Sequence, residues 1–432
     1  MNSQIDGRDA KEPDSEILME QGDETVVESV DLFELGDESD RHAGERMYGD
    51  EKHHSHHRHH SDGSGHGKKK RRRHSRHKKD SSSNAKTARI VKKVLIIILL
   101  VFVILVAVAI ATIFVMTKVG RRQLTDYSEV SVEAPEELDV EISDEQVVTY
   151  EGKQYVFNEN VASVVFLGID TSELGTEEYG QAGQADAVYI YTFDTVEKVS
   201  KVISVSRETM VDVNVTSTSG ESAGIEELQL CLAYAYGDGR ESSCENTLLS
   251  LQRIFYNIPF ENYVAVNWDA ISVINDAIGG VEVTVLEDVG SMKEGETITL
   301  MGENAFDYVH YRDTSYLESN EARLKRQKQY ITAFANKLII KTKLDISTPL
   351  TLFGLLDDYM VTNVSVNQVS YFTVQAISNV ESFSDVEFIS IEGETVAGDD
   401  VTGEEHAQFY PDEQQLYEMI LEVFYTEVEE DK

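Results

Sequence analysis

The chain has 432 residues, with 38 Lys+Arg against 78 Asp+Glu, a formal charge of −40, and two cysteines. That length allows two or three domains. So acidic a balance excludes a protein that gathers anionic polymers over its general surface, so any anion must be held in a local pocket of cations.

Three zones separate by composition. Residues 1–93 are polar and nearly free of aromatics. Within them, residues 1–51 are acidic and poor in apolar side chains, which predicts a disordered tail. The tract HHSHHRHH (53–60) holds histidines that bind metal only weakly without a fixed scaffold. The run KKKRRRHSRHKK (68–79) directly precedes an apolar stretch. That position favours contact with anionic lipid headgroups over nucleic acid, because so polar a segment offers no nucleic-acid-binding fold. Membrane lipids are therefore expected partners, and nucleic acid is not.

Residues 94–116 read VLIIILLVFVILVAVAIATIFVM, 23 residues without a charge. They match the length needed to cross a hydrocarbon core of about 30 Å as one helix. Lys86, Arg89, Lys92, Lys93 and the basic run precede the span, against Lys118, Arg121 and Arg122 after it. The positive-inside bias predicts a single-pass cell-membrane protein with a cytosolic N-terminus and an extracytoplasmic globular part.

Residues 117–160 are acidic, lack a long apolar period and are expected to be a linker. Beyond them β-branched and aromatic residues alternate. VASVVFLGID (161–170), DAVYIYTFD (186–194) and KVSKVISVSR (198–207) predict three strands. SSCENTLLSLQRIFYN (242–257) predicts a helix, with Ser242 and Glu245 at capping-box spacing. NYVAVNW (262–268) predicts a strand, DAISVINDAIGG a helix closed by glycine, and GVEVTVLED (280–288) another strand. GENAFDYVHY (302–311) predicts a short helix, and Asn320 is a candidate cap for one running to about residue 340. VEFISIEG then reads as a strand and DEQQLYEMILEVFYTEV as a helix. This alternation predicts an α/β fold with a mixed central β-sheet covered by helices. The core domain is expected over 161–340, with 341–432 as a C-terminal extension packed on it. Cys231 and Cys244 are open to two readings: a disulfide, which an extracytoplasmic compartment permits, or two unpaired residues packed on adjacent helices.

Residues 123–432 hold 16 Lys+Arg against 59 Asp+Glu, a charge of −43, and only six arginines. Three of these, Arg312, Arg323 and Arg326, fall in VHYRDTSYLESNEARLKRQKQY (309–330). Arg323, Arg326 and Gln327 sit three and four positions apart, a spacing that brings side chains together on a helix. Guanidinium groups grip phosphate oxygens in pairs, and a helix start favours phosphate as well. Neutralising neighbouring carboxylates is the competing reading. Asp170 and Asp186 stand at predicted strand ends, and two carboxylates there suit a hard divalent cation shared with phosphates. Arg207 ends the third strand.

The ordered set FLGID, GQADAV, SVSRET, NYVAVNWDAI, DAIGGVEV, MGENAFDYVHYR and RLKRQ resembles the LytR-CpsA-Psr (LCP) family over about residues 161–340. The resemblance implies an LCP-like α/β/α domain and a phosphotransferase of cell wall assembly. Such an enzyme moves a glycopolymer from a polyprenyl diphosphate carrier to peptidoglycan, with Mg²⁺ or Mn²⁺. By motif position it implies that Asp170 and Asp186 hold the metal, that Arg207, Arg312 and Arg323 bind the phosphates, and that Arg326 and Gln327 contact substrate. Gln184 and His310 stand where the family often has arginine, which implies a retuned or weakened phosphate site. A non-catalytic carrier-binding module and a cell-envelope transcriptional regulator are the alternatives.

Overall fold

An apolar run with no polar face has nothing to gain from a soluble core, and here it forms the middle of one long helix, α1 (Ser81–Leu124). The computed structural model of the chain describes residues 81–127, 130–175, 179–312, 319–379, 381–399 and 405–428. The acidic tail, the histidine tract and the basic run lie outside these residues. Residues 81–93, assigned to the disordered tail, are instead helical. Helix formation is cooperative, and the Ala, Lys and Arg that precede the apolar run propagate it readily. Within α1, Arg89–Leu124 is long and apolar enough to cross a membrane.

The segment expected to be a linker carries three strands, β1 (Val140–Ile142), β2 (Val148–Tyr150) and β3 (Lys153–Phe157). Glu151 and Gly152 join the last two with φ of 49° and 77°, the left-handed pair that a two-residue hairpin demands. Val148 and Tyr150 are buried in the main core, so the domain starts well before residue 161.

The three strands read from β-branched content follow as β4 (Val161–Ile169), β5 (Ala185–Asp194) and β6 (Ser200–Val205). A hairpin of β7 (Met210–Thr216) and β8 (Ser222–Gln229) leads to α2 (Leu230–Ala235) and α3 (Glu241–Ile254). Ser242 does not cap α3. The helix begins one residue earlier, and the Ser242 hydroxyl accepts from the Asp238 N–H at 3.0 Å. Cys231 on α2 and Cys244 on α3 are buried and unpaired, so of the two readings the free-thiol one holds.

Next come β9 (Tyr263–Asn267) and α4 (Asp269–Ala277), which ends at Gly279 and Gly280, both with positive φ. β10 (Val281–Thr284) and β11 (Thr297–Leu300) pair antiparallel, followed by α5 (Glu303–His310) and α6 (Ser319–Leu344). Asn320 thus lies inside the first turn of α6 and not at its cap. The chain finishes with α7 (Thr348–Leu355), β12 (Met360–Thr362), α8 (Val366–Asn379), β13 (Glu387–Ser390), β14 (Gly393–Asp399), β15 (Glu405–Pro411), α9 (Glu413–Phe424) and β16 (Tyr425–Glu427). Asp412 caps α9, accepting from the Gln415 N–H at 2.9 Å.

The central sheet runs β12-β9-β4-β5-β6-β13. β4 and β9 are parallel, β6 and β13 are parallel, and β5 runs against its neighbours. Both edge strands come from residues beyond 341, so that segment completes the sheet and is no extension. Alternation along β4 sends Val165, Leu167 and Ile169 to one core. Ala162 and Val164 go to the other, with Leu124 of α1 and Tyr371 of α8. A third core joins α4, β10, α5 and α6. The expected helix-covered mixed sheet is the observed one.

Candidate functional site

Parallel strands present their carboxyl ends to one edge of a sheet, where α/β folds form clefts. β4, β6 and β9 all end there, and β5 begins there. Gly168, Ile169 and Asp170 from β4, Asp186 and Ala187 from β5, and Val266, Asn267 and Trp268 from β9 line a cavity of about 70 Å³. Phe306, Val309 and His310 of α5, Arg323 and Gln327 of α6, and Ile271 of α4 close it.

Five of the nine residues proposed from sequence therefore meet at one cavity: Asp170, Asp186, His310, Arg323 and Gln327. Three more adjoin it. Arg207 donates one guanidinium nitrogen to Asp186 Oδ1 and another to Gln184 Oε1. Gln184 is also tied to Asp170, whose Oδ1 accepts from the Gln184 N–H while its own N–H donates to the Gln184 carbonyl at 3.0 Å. Gly183 sits at φ 85°, and a Cβ there would lie 3.0 Å from Asp170 Oδ1. Glycine is thus required for the turn and for space beside the carboxylate. Arg312 approaches from the end of α5, with Nη1 3.9 Å from Glu208 Oε1.

Arg326 departs from the expectation. At about 100° per residue, Arg326 lies about 60° to one side of Arg323 and Gln327 about 40° to the other, and of the two only Gln327 lines the cavity. Arg326 is 1% exposed, paired with Glu287 and donating to the Tyr308 carbonyl at 2.8 Å and to the Tyr311 carbonyl. It holds the end of α5, and so His310 and Arg312, in place. It is a positioning residue and not a substrate contact.

Electrostatics set the character of the cluster. Burial lowers the pKa of Arg323, and the nearby Arg312 and Arg207 charges add to that, against Asp186 and Glu208. A guanidinium starts so high that it remains charged. Burial also pulls on Arg207, but Cys231 and Asp186 outweigh it and its pKa rises. Since burial pushes the Cys231 thiol up to about 11, the thiol is neutral near pH 7. Asp186 is then the counter-charge, and the sulfur, 3.3 Å from Arg207 Nη2, is a soft acceptor. The arrangement is three carboxylates (Asp170, Asp186 and Glu208) and three arginines at the mouth of an apolar-walled cleft.

Among the described residues no set of three His, Cys, Asp or Glu gathers as a self-contained metal site. Asp170 and Asp186 nonetheless fit a hard cation held jointly with a ligand's phosphates. Both line the cavity, and among the described residues the donors to these carboxylates engage Oδ1 of each.

Several cavity residues lie within or beside the quoted motifs without having been assigned a role at the site. Asn267, 2% exposed, donates to the Ser172 carbonyl at 2.6 Å and accepts from the Ala270 N–H at 3.2 Å. It fixes the β9–α4 corner. Trp268, the sole tryptophan of the chain, packs edge-on to Phe306, which stacks on His310 with ring centres 4.6 Å apart. Tyr189 donates to Gln327 Oε1 at 2.8 Å. A lone tryptophan between a strand and a helix was the visible hint.

Comparison with known proteins identifies the family of the chain. The polyisoprenyl-teichoic acid–peptidoglycan teichoic acid transferase TagU of Enterococcus faecalis is 26% identical over 218 residues, 49% of this chain and 64% of that protein. TagV of Bacillus subtilis, with the same transferase name, is 27% identical over 187 residues, 41% of this chain and 43% of that protein. The chain thus spans less than two thirds of the length of either relative. The crystal structure of a Streptococcus agalactiae protein shares the fold, with a TM-score of 0.50 at 19% identity over 61% of this chain and 86% of that one. The LytR_cpsA_psr family model matches residues 124–422, from the last turn of α1 into α9. The chain belongs to the LytR-CpsA-Psr family.

Proposed function

We propose that this chain is a membrane-anchored phosphotransferase that moves a glycopolymer from a polyprenyl diphosphate carrier to peptidoglycan. The observation that carries the reading is the convergence of Asp170, Asp186, Arg207 and Arg323 on one cavity with apolar walls. Cations at its mouth suit a diphosphate, and the walls suit a prenyl chain. The transferase names of the relatives point the same way. The basic flank before α1 supports an N-terminus in the cytosol and a catalytic domain outside.

Phosphoryl transfer asks the protein for positioning and charge compensation. The acceptor hydroxyl oxygen attacks the phosphorus that carries the glycan. The bond from that phosphorus to the bridging oxygen breaks, and polyprenyl phosphate leaves with the electron pair. Arg207, Arg312 and Arg323 compensate the charge on the phosphates, and an aspartate of the pair takes the hydroxyl proton. Gln327, fixed by Tyr189, orients a phosphate or sugar oxygen. Asp170 and Asp186 would hold Mg²⁺, which supplies further charge neutralisation at the diphosphate. Gln184 and His310, standing where the family often has arginine, favour a second reading, a carrier-binding module without turnover.

The test uses the full-length protein in detergent with Mg²⁺ and a short polyprenyl diphosphate-linked sugar. Arg323→Ala and Asp186→Ala are each expected to lower metal-dependent polyprenyl phosphate release by about 10²-fold or more, the scale for losing one preorganised charge contact. Tight binding with no release by the wild type would favour the module, and absence of binding would sink the site.

A further inference from the structure

Three features outside the cavity lie at one end of the molecule. The first is the joint between anchor and domain. Leu124 of α1 is buried with Ala162, Val164 and Phe193, at the start of β4 and the end of β5. Arg121 Nη2 donates to Thr195 Oγ1 at 3.0 Å, and Gly120 meets the Asn367 backbone at the start of α8. The anchor therefore enters the domain as part of its core, at the end of the sheet opposite the cavity.

The second feature is the β5–β6 turn, which contains Thr195 and exposes Val196 (54%) and Val199 (51%) beside Lys198. Arg121 is five residues past the apolar run, about 8 Å along a helix. The headgroup layer on each side of the hydrocarbon is about 5–7 Å deep. The turn is thus pinned at the outer edge of the headgroup layer.

The third feature is the far end of α6. Arg323 is at the cavity, whereas the Asn336 side chain bonds the Phe383 N–H at 2.7 Å and the Ser382 hydroxyl at 3.1 Å. Those residues precede β13, whose first residue pairs with Lys201 at the anchor end of β6. Helix α6 therefore runs from the cavity to the anchor end, and Leu344 is about 12 Å beyond Asn336 along its axis. Ile340 (61%), Leu344 (85%) and Ile346 in the corner to α7 are exposed there. Lys341 and Lys343 accompany them, with Asp345 as the acid of the corner, whereas Lys337 donates to the Gly279 carbonyl at 2.7 Å and to the Gly280 carbonyl. Two lysines within three positions, in a region of charge −43, mark the corner as basic and apolar together. That combination suits a lipid interface, where apolar tips insert and lysine stems snorkel.

We infer that the α6–α7 corner inserts Ile340, Leu344 and Ile346 into the headgroup–acyl boundary of the membrane that α1 crosses, with Val196 and Val199 as a second contact. The anchor, the turn and the corner make a three-point stance. It fixes the height of the cavity above the bilayer, at the far end of β5, about 26 Å along the strand from Asp194 to Asp186. The inference rests on α1 spanning the membrane, and the test separates the two.

Full-length protein is reconstituted in phosphatidylglycerol–phosphatidylcholine vesicles with an environment-sensitive fluorophore on one introduced cysteine, Cys231 and Cys244 being buried. Positions are Leu344→Cys, Leu105→Cys in the span, and Ile225→Cys, exposed on β8 in the hairpin beside α3. The Leu344 probe is expected to shift to the blue and to lose most of its emission to lipids carrying a quencher high on the acyl chain. The Leu105 probe should respond to deep quenchers, and the Ile225 probe to neither. A quenched Leu105 probe with an unquenched Leu344 probe overturns the stance and leaves the anchor intact. An unquenched Leu105 probe overturns the anchor as well. A Leu344 blue shift that grows with protein-to-lipid ratio, without lipid quenching, assigns the corner to a second copy of the chain and overturns the proposal.

Discussion

Arg326 shows how much a single residue type can hide. In sequence it is indistinguishable from Arg323, three positions away, yet one is at the cavity and the other is in the interior, bound to Glu287 and two carbonyls. Removing one partner of a buried pair leaves the other charge uncompensated, which costs about 3–5 kcal/mol. Arg326→Met keeps the volume and the apolar stem and strands Glu287 with the Tyr308 and Tyr311 carbonyls. Because Glu287 retains some water access (27% side-chain exposure), the expected loss is at the low end, about 3 kcal/mol. It would be measured by chemical unfolding of the detergent-solubilised protein. Unchanged stability with abolished carrier binding would instead return Arg326 to the ligand site.

At the scale of elements, what the sequence made legible followed from periodicity. β4, β5, β6 and β9 carry dense β-branched runs, so their existence and order were readable, and with them the edge where Asp170, Asp186 and Arg207 meet. β1–β3 were not readable, because strands of three and five residues are too short to show a period and are set among acidic loop and turn residues such as Asp139, Asp144, Glu145 and Glu151. β12 and β13 were read as belonging to an add-on because sequence distance says nothing of sheet neighbours. The joint between α1 and α8 was also invisible, since its cue is a lone glycine. A Cβ at Gly120 would meet the Asn367 carbonyl, so Gly120→Val forces the helices apart. Overpacking of this kind costs about 1–3 kcal/mol. The main core includes no residue of α1 or α8, so Gly120→Val is expected to fold, with faster proteolysis near residues 124–127 in vesicles. Wild-type cleavage rates would show that the anchor is a tether and not a docked helix.

For the whole molecule, charge sets a long-range rule that the cavity must overcome. A surface of charge −43 repels any anionic glycopolymer on approach, while Arg207 and Arg323 act at contact distance inside a partly buried cleft. These two effects respond differently to salt. At about 0.01 M ionic strength the screening length is about 30 Å, comparable to the domain, and at 0.15 M about 8 Å. Salt thus removes the repulsion before it weakens the buried arginines. The expected outcome is a several-fold rise in kcat/KM for an anionic donor polymer between those salt concentrations. An uncharged glycan on the same polyprenyl diphosphate should gain much less, because only the diphosphate feels the field. Rate measurements on the two donors across that range decide the matter. A monotonic fall with salt for the anionic polymer would mean that cationic contacts outside the cavity capture it, and that the net charge of the domain misrepresents the surface its substrate meets.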